Sequence, residues 1–184
     1  MIQLLPLLQK ILHKKMRSIV LIGHRACGKT TLGAQLAETL KMRFVDIDSL
    51  IEKKAHKSVE EIFRTEGEIR FRELEEEVVL GAVHRGCVVA AGGGTPLNLK
   101  LMNHLKGDAF VVFINVSEEE LLRRRFHDKR PLLYGAKNVF EELHLSYLVR
   151  NTVYKHHANL IVEGSNENIL SEIITFFQKT SLST

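Results

Sequence analysis

Short apolar runs alternate with amphipathic stretches along this chain from Ser18 onward. Five runs of four to seven residues are rich in β-branched side chains: SIVLIG at 18–23, RFVDID at 43–48, CVVAA at 87–91, AFVVFIN at 109–115 and NLIV at 159–162. Such continuous apolar runs are typical of strands that are buried on both faces of a parallel sheet. The alternation predicts an α/β fold, in which a five-stranded parallel sheet is flanked by helices in three layers.

Apolar residues at helical spacing predict a helix after each of the first four strands, with more than one in places. Leu32, Leu36 and Leu40 share one face of the first helix. Further helices are expected over 49–56, 59–65, 68–84, 99–106, 118–126 and 140–156, with a final helix that ends at 178. The irregular stretch 127–138, which contains Pro131 and Gly135, is long enough for a mobile lid.

Composition indicates one compact domain. The chain has 184 residues, of which 45% are hydrophobic, and residues 16–184 are predicted to form a single domain. The net charge of +4 is mild and does not by itself select a class of ligand. Cys27 and Cys87 fall in a loop and a strand, so no disulfide framework is expected, which favours a reducing, cytoplasmic compartment. The protein is expected to be a monomer.

The first fifteen residues form a separate N-terminal extension. Its apolar run is interrupted by Pro6, Gln9 and Lys10 and is much shorter than the roughly 20 residues that span a bilayer, so stable membrane insertion is not expected. The spacing of Leu4, Leu8 and others permits a short amphipathic helix, but the sequence favours a dispensable or disordered appendage.

The stretch GHRACGKTT at residues 23–31 matches the pattern GxxxxGK[ST] between a strand and a helix. In such a loop the backbone N–H groups surround phosphate oxygens, the lysine reaches the outer phosphates and the threonine hydroxyl ligates Mg²⁺. ATP and Mg²⁺ are therefore the expected cofactors. The candidate nucleotide-binding residues of the loop are Gly23, Ala26, Cys27, Gly28, Lys29, Thr30 and Thr31. His24 and Arg25 are predicted to face solvent.

Two carboxylates end the second strand. With the period of two that strands follow, Asp46 and Asp48 are expected to point to the same side at the carboxyl edge of the sheet, where ligands bind in such folds. One carboxylate can hold Mg²⁺ through water, and the other can orient an attacking hydroxyl or accept its proton. The alternative is that Asp48 caps a helix that opens at Ser49.

Arg72 and Arg150 are the candidate acid-binding residues. Arg72 is expected beside the buried face of its helix, braced by Glu75 and Glu76 one turn on. Arg150 shares a face with apolar side chains and therefore needs an anion. Paired guanidinium groups match the geometry of a carboxylate. An internal ion pair with a glutamate of the protein is the alternative.

Two further features lie near the predicted ligand edge. Gly92, Gly93 and Gly94 follow the third strand and offer backbone that a polar substrate can approach closely. A basic cluster surrounds the lid and could neutralise phosphate charge; its members are Arg123, Arg124, Arg125, Lys129 and Arg130. No aromatic stacking platform accompanies this cluster, so nucleic-acid binding is not expected.

The ordered motifs together resemble the shikimate kinase family from residue 18 to the C-terminus. They are GHRACGKTT, DID followed by IE, EIF with GEIRFRELE, AAGGG, RPLL, and Arg150 with Tyr154 shortly after it. The resemblance implies the P-loop kinase fold of the nucleoside monophosphate kinase type. It also implies transfer of the γ-phosphate of ATP to the 3-hydroxyl of shikimate.

The resemblance also implies individual roles. Asp48 would bind the shikimate hydroxyls and serve as the candidate base, and Lys29 and Arg130 would act on the transferring phosphate. The shikimate carboxylate would be held by the two arginines, in a pocket lined by two glycines: Arg72, Arg150, Gly93 and Gly94. Arg123 would stack on adenine, and Thr30 with Asp46 would serve Mg²⁺.

The chain departs from the family pattern at Ala26, where the phosphate loop usually carries a glycine. Two other functions remain open on the residues alone. A kinase for another small acid, such as gluconate, would share the loop and the sheet. A nucleotide-binding module without catalysis would keep the loop but would tolerate loss of the acceptor residues.

Overall fold

The computed structural model describes residues 17–84, 86–107, 109–125, 132, 135–164 and 166–181. Five strands form one parallel sheet: β1 (Ser18–Ile22), β2 (Arg43–Asp46), β3 (Cys87–Ala90), β4 (Ala109–Ile114) and β5 (Leu160–Val162). Their order across the sheet is β2-β3-β1-β4-β5. The predicted α/β class and the five-stranded parallel sheet are confirmed. The predicted extension 1–15 and most of the predicted lid lie outside the described residues.

Helices connect the strands and cover both faces of the sheet. They are α1 (Lys29–Leu40), α2 (Ile47–Ala55), α3 (Val59–Thr65), α4 (Gly67–Ala82), α5 (Leu99–Lys106), α6 (Glu118–Arg125), α7 (Val139–His157) and α8 (Asn166–Ser181). A short 3₁₀ turn, Thr95–Leu97, precedes α5. Among these described helices, none is both long and apolar enough to cross a membrane.

Alternate residues of the central strands face two separate apolar clusters. Ile19 and Leu21 of β1 face the cluster that includes residues of α1 and α8, whereas Val20 and Ile22 face the cluster beneath α2 to α5. All five residues of β1 are buried, as the continuous apolar run predicts. Helix α7 contributes Leu143 to one cluster and Tyr154 to the other, so it connects the two layers.

The second strand is shorter than its sequence suggests. The run RFVDID is extended only as far as Asp46, and the helix that was expected to open at Ser49 begins at Ile47. The side chain of Asp46 accepts a hydrogen bond from the Ser49 backbone N–H at 3.0 Å and so caps α2. The predicted strand alternation through Asp48 is therefore wrong, although both carboxylates line the same cavity, and the alternative that Asp48 is the cap is wrong as well.

Candidate active site

The phosphate loop occupies the carboxyl end of β1, where the sheet order reverses direction. Gly23 and Gly28 have φ values of 148° and 100°, which favour glycine. A Cβ atom at Gly23 would lie 2.8 Å from the Cys27 Sγ and 2.9 Å from the Ile114 carbonyl oxygen, so the turn has no room for a side chain. Helix α1 begins at Lys29 without a side-chain cap, which leaves its first N–H groups facing the loop.

Ala26 adopts a left-handed conformation, with φ of 62°. This is the position where the sequence departs from the glycine of the family pattern. An alanine in this region carries a steric cost that glycine lacks. The helix that follows still begins at Lys29 without a side-chain cap, so backbone N–H groups remain available at its first turn.

Lys29 is held by the loop that precedes it. Its Nζ donates to the carbonyl oxygens of Gly23 at 2.9 Å and His24 at 2.8 Å, and it lies 3.7 Å from the Cys27 Sγ. These contacts keep the ammonium group over the loop instead of extended into solvent. The predicted position of Lys29 at the phosphate end of the cleft follows from this geometry.

Thr30 and Asp46, the two residues predicted to serve Mg²⁺, are in contact. Asp46 reaches this position as the cap of α2. The Thr30 hydroxyl donates to Asp46 Oδ2 at 2.7 Å, while Asp46 Oδ1 caps α2. A hydroxyl and a carboxylate at the first turn of α1 offer the oxygen ligands that Mg²⁺ takes. Among the described residues, no group of three or more His, Cys, Asp or Glu side chains is placed to hold a metal. Such a cluster is not needed where phosphates and waters complete the Mg²⁺ shell.

Two cavities meet at Asp48. The first has a volume of about 320 Å³ and is lined by the phosphate loop together with Asp46, Asp48 and Gly93. The second is lined by Asp48, Phe71, Arg72, Arg150 and others, including the three glycines. Arg25, Asp48 and Gly93 line both cavities, so the two spaces adjoin. Asp48 therefore borders both spaces.

Arg72 is braced by carboxylates, one of which differs from the prediction. Its guanidinium donates to Glu75 Oε2 at 2.8 Å and to Glu68 Oε1 at 2.9 Å. Glu75 was expected, but Glu76 instead pairs with Lys100, and Glu68 one turn earlier takes the second position. Burial alone would lower the pKa of Arg72, but the adjacent carboxylates outweigh burial and raise the pKa. The internal ion pair that the sequence left open as an alternative is thus present at Arg72.

Glu75, which the sequence predicts as a partner of Arg72, is itself held in place by burial and hydrogen bonding. Its side chain is 1% exposed, and its second oxygen accepts a hydrogen bond from the Thr95 hydroxyl at 2.5 Å. A buried carboxylate that is bonded on both oxygens has little freedom to move. Glu75 therefore holds the Arg72 guanidinium in place, and Arg72 also lines the second cavity.

Arg150 is buried, as its place on the apolar face of α7 predicts; the residue is only 4% exposed. Four residues later on the same helix, the Tyr154 hydroxyl donates to the Gly93 carbonyl oxygen at 2.5 Å. Arg150 and Arg72 line the same second cavity and also an adjoining outer cavity of about 600 Å³. The predicted pairing of these two arginines in one pocket is confirmed in position.

The three glycines after β3 are approached by the protein's own functional side chains. A Cβ atom at Gly92 would lie 3.3 Å from Asp48 Oδ1, and one at Gly93 would lie 3.3 Å from Arg150 Nη1. At Gly94 it would lie 2.5 Å from both terminal nitrogens of Arg72. At Gly92 the Glu75 Oε1 and Thr95 Oγ1 atoms would lie closer still, at 2.7 and 3.1 Å. The sequence suggested close approach by a substrate, whereas the structure shows that the glycines make room for side chains of the protein itself.

A third cavity, of about 320 Å³, lies beside Arg124 of α6. Arg124 lines it together with Asn115, Tyr147, Glu163 and others, and donates to the Ala26 carbonyl oxygen at 3.4 Å. Arg123, which the resemblance places on adenine, pairs with Glu120, and its side chain is 70% exposed. Arg124 pairs with the same glutamate, is 37% exposed and also contacts the phosphate loop at Ala26. Arg130 lies outside the described residues.

For two loop residues, the prediction that the side chain faces solvent is wrong. His24 is 1% exposed instead of facing solvent, and its ring packs against Tyr147 and Tyr154. Arg25 lines both the first cavity, beside the phosphate loop (the phosphate cavity), and the second cavity, beside Arg72 and Arg150 (the acid cavity). No periodic pattern marks residues within a loop, so neither position carried a sequence signal beyond the loop motif itself.

The chain is similar in sequence and in structure to known proteins. The family model described as shikimate kinase matches residues 25–178. A shikimate kinase from a Sulfurihydrogenibium species is 39% identical over 165 residues, which cover 87% of this chain and 97% of that protein. The structure of shikimate kinase from Acinetobacter baumannii in complex with shikimate is similar with a TM-score of 0.85 and 30% identity, covering 92% of this chain and 97% of that one. A gluconokinase from Sinorhizobium meliloti has a TM-score of 0.53 and 16% identity, covering 91% of this chain and 94% of that one, which shows a shared fold alone.

Proposed function

The chain belongs to the shikimate kinase family, and from this premise we propose that it transfers the γ-phosphate of ATP to the 3-hydroxyl of shikimate. The products are shikimate 3-phosphate and ADP, as in the biosynthesis of aromatic amino acids. One observation carries the assignment of the acceptor. Arg72 and Arg150 line one cavity, and that cavity adjoins the phosphate cavity through Asp48 and Gly93.

The shikimate carboxylate is assigned to the two arginines. Two guanidinium groups in one pocket supply the planar, multiple hydrogen bonds that a carboxylate accepts. Arg72 is already braced by Glu68 and Glu75, so its orientation does not have to be established when the acid binds. The ring of the acid then extends from the arginines toward Asp48, which lies at the junction with the phosphate cavity.

Asp48 is assigned to the reacting hydroxyl. Its carboxylate accepts a hydrogen bond from the 3-hydroxyl and takes its proton as the oxygen attacks the γ-phosphorus. The bond from the γ-phosphorus to the bridging oxygen breaks, and ADP leaves with the electron pair. Lys29 stabilises the charge that develops on the transferring group, and Arg130 of the lid is proposed to share this role. Most of the rate acceleration is then due to positioning and electrostatics.

Thr30 and Asp46 are the residues that would hold Mg²⁺. The hydroxyl and the carboxylate already lie 2.7 Å apart at the start of α1, and both are hard oxygen ligands. When it is bound, the ion neutralises phosphate charge. Asp46 keeps one oxygen on the Ser49 N–H, which orients the other toward Thr30.

The nucleoside is assigned to the cavity lined by Arg124 and Tyr147. Arg124 donates to Ala26 of the phosphate loop, and this contact supports a role for its guanidinium in stacking on the base of a loop-bound nucleotide. Replacing Arg124 with Ala should raise the Michaelis constant for ATP more than the same replacement of Arg123, which serves as the matched control on the same helix.

A coupled assay of ADP release with ATP and Mg²⁺ tests the acceptor. Shikimate, quinate, gluconate and nucleoside monophosphates are supplied in parallel, and turnover is expected with shikimate. Turnover with gluconate in place of shikimate would contradict the assignment. Absence of ADP release with every acceptor, alongside measurable ATP binding, would favour the binding-module alternative.

The Asp48→Asn variant tests the assigned base, because the amide preserves the size of the side chain but cannot accept the proton. Its turnover number is expected to fall by roughly two to four powers of ten. Asp48→Asn with wild-type turnover would contradict the role. Glu77→Gln, a change in an exposed surface ion pair with Lys54, is the control and should leave turnover unchanged.

The cytoplasm is the proposed compartment, because both cysteines are buried and unpaired, which suits a reducing environment. A monomer that binds ATP and shikimate but no nucleic acid remains the prediction, and light scattering at several concentrations would test its oligomeric state. The proposed domain covers 16–184, with a lid at about 127–138.

A further inference from the structure

The ring of His24 lies between two tyrosines of one helix. It stacks on Tyr147 with a centroid distance of 5.0 Å and an interplanar angle of 10°. Its other contact is edge-on with Tyr154, at 4.9 Å and 73°. Both tyrosines belong to α7, seven residues or two helical turns apart, and Phe113 of β4 packs on Tyr154 at 5.2 Å. A side chain of the phosphate loop is thus inserted against the helix that carries Arg150.

The backbone of the same residue belongs to the phosphate site. The His24 carbonyl oxygen accepts a hydrogen bond from Lys29 Nζ at 2.8 Å. His24 is not among the residues that line the phosphate cavity or the acid cavity. The residue is only 1% exposed, so a substrate cannot contact its ring. Any effect of the ring on the reaction must therefore pass through its neighbours.

Those neighbours lead directly to the acid-binding residues. The Tyr154 hydroxyl donates to the Gly93 carbonyl oxygen, and Gly93 is the glycine against which Arg150 Nη1 lies. Arg150 precedes Tyr154 by four residues, one helical turn, so a shift of this part of α7 would move both side chains together. The ring of His24 therefore packs against the helical segment that sets the position of Arg150 relative to Gly93.

We propose that His24 is a positioning residue for acid binding, whose ring holds α7 in the place where Arg150 and Tyr154 meet Gly93. The proposal rests on the assignment of shikimate to the cavity of Arg72 and Arg150. It adds a residue of the phosphate loop whose side chain acts on the affinity for the acceptor, while its backbone acts on the nucleotide side through Lys29.

The proposal rests on the stacked and edge-on contacts of the aromatic ring, so it is tested by whether a ring without nitrogens suffices. His24→Ala removes both contacts, and His24→Phe retains a planar ring of similar size. Aromatic pairs contribute enough that losing this one should raise the Michaelis constant for shikimate by about threefold to tenfold. The constant for ATP should change by less than about twofold, because the carbonyl that holds Lys29 remains.

The experiment measures turnover and both Michaelis constants for the wild type, His24→Ala and His24→Phe. His24→Phe is expected to restore the constant for shikimate to within about twofold of the wild type. Phe176→Ala is the matched control, because it removes another stacked pair, with Phe110 at 4.8 Å, on α8 and away from the site. A purely structural role for His24 would reduce the active fraction and turnover in both alanine variants, with no selective change in the shikimate constant.

Three results would overturn the proposal: an unchanged shikimate constant in His24→Ala, an equal rise in both constants, or failure of His24→Phe to restore the wild-type value. Hydrogen exchange supplies a readout that does not depend on the substrate. His24→Ala should increase amide exchange in residues 92–97 and 146–157, and unchanged exchange there would also overturn the proposal. If the wild type did not use shikimate, the proposed function would fail, while the exchange result would still decide whether His24 positions this segment.

Discussion

Replacing Gly94 with Ala places one methyl group against the guanidinium of Arg72. Gly94 has φ of −95° and ψ of −15°, which alanine adopts without strain, so the backbone should not change. The added Cβ would lie 2.5 Å from both Nη1 and Nη2 and 2.7 Å from Cζ. Ordinary contact starts at 3.4 Å, so the guanidinium must move by about 1 Å.

That movement is resisted on the opposite side of Arg72. Its bonds to Glu75 at 2.8 Å and to Glu68 at 2.9 Å have to lengthen or break before the group can shift. A hydrogen bond to a charged partner contributes about 1.5–3 kcal/mol, and a displaced guanidinium loses at least one bond to the acid. The Michaelis constant for shikimate should therefore rise roughly tenfold to a hundredfold, whereas that for ATP should stay near its wild-type value.

Steady-state kinetics with each substrate varied in turn, and calorimetry of shikimate binding, measure this effect. Gly81→Ala is the matched control, because it makes the same substitution on α4, the helix of Arg72, where a Cβ meets no atom within 4 Å. It should leave the kinetics unchanged and should stabilise the protein by up to about 1 kcal/mol. If Gly94→Ala bound shikimate as tightly as the wild type, Arg72 would not be a ligand of the acid.

Three further predictions follow from single contacts. Arg72→Lys should raise the Michaelis constant for shikimate with a smaller change in turnover, because an ammonium group replaces a planar fork; an effect confined to turnover would contradict the role. Ala26→Gly should relieve a left-handed alanine, with φ of 62°, and stabilise the protein by roughly 0.5–1 kcal/mol in chemical denaturation. Lys41→Gly, at φ of 56° outside the site, should do the same, so a gain at Lys41 without one at Ala26 would refute the explanation. Burial, and then the charges of Lys106 and His156, lower the pKa of His157, so the unfolded chain binds its proton more readily and stability should fall as the pH drops below about 6.5. The urea midpoint measured from about pH 8 to 5.5 should lose part of its pH dependence in His157→Gln, and an identical pH profile would refute this.

Local sequence was sufficient for the sheet and for the phosphate loop. The three central strands, β1, β3 and β4, are short apolar runs whose residues are all buried, so their pattern does not depend on which strands become their neighbours. The loop motif is equally local, since its glycines set the backbone turn and Lys29 and Thr30 follow within two residues. Even the burial of Arg150 could be predicted, because its apolar neighbours on one helical face require it.

Errors arose where a residue could satisfy two local rules. Asp46 and Asp48 fit the alternation of a strand, but Asp46 also fits an N-cap, and the cap prevailed because it satisfies the Ser49 N–H. Helix spacing allowed Glu68, Glu75 and Glu76 alike to brace Arg72. Glu76 does not pair with Arg72 in the structure because it pairs with Lys100 of α5.

The sequence by itself determined the fold class, the phosphate loop and the residue types able to bind a small acid. Only the tertiary structure decided how these parts meet: that Asp48 lies between two cavities, that the three glycines after β3 make room for side chains of the site, and that His24 is buried against α7. The physical reason is the separation along the chain between the residues that interact. Strand burial, helix periodicity and loop glycines depend on neighbours a few positions away, whereas these contacts join residues that only the packing of separate elements brings together.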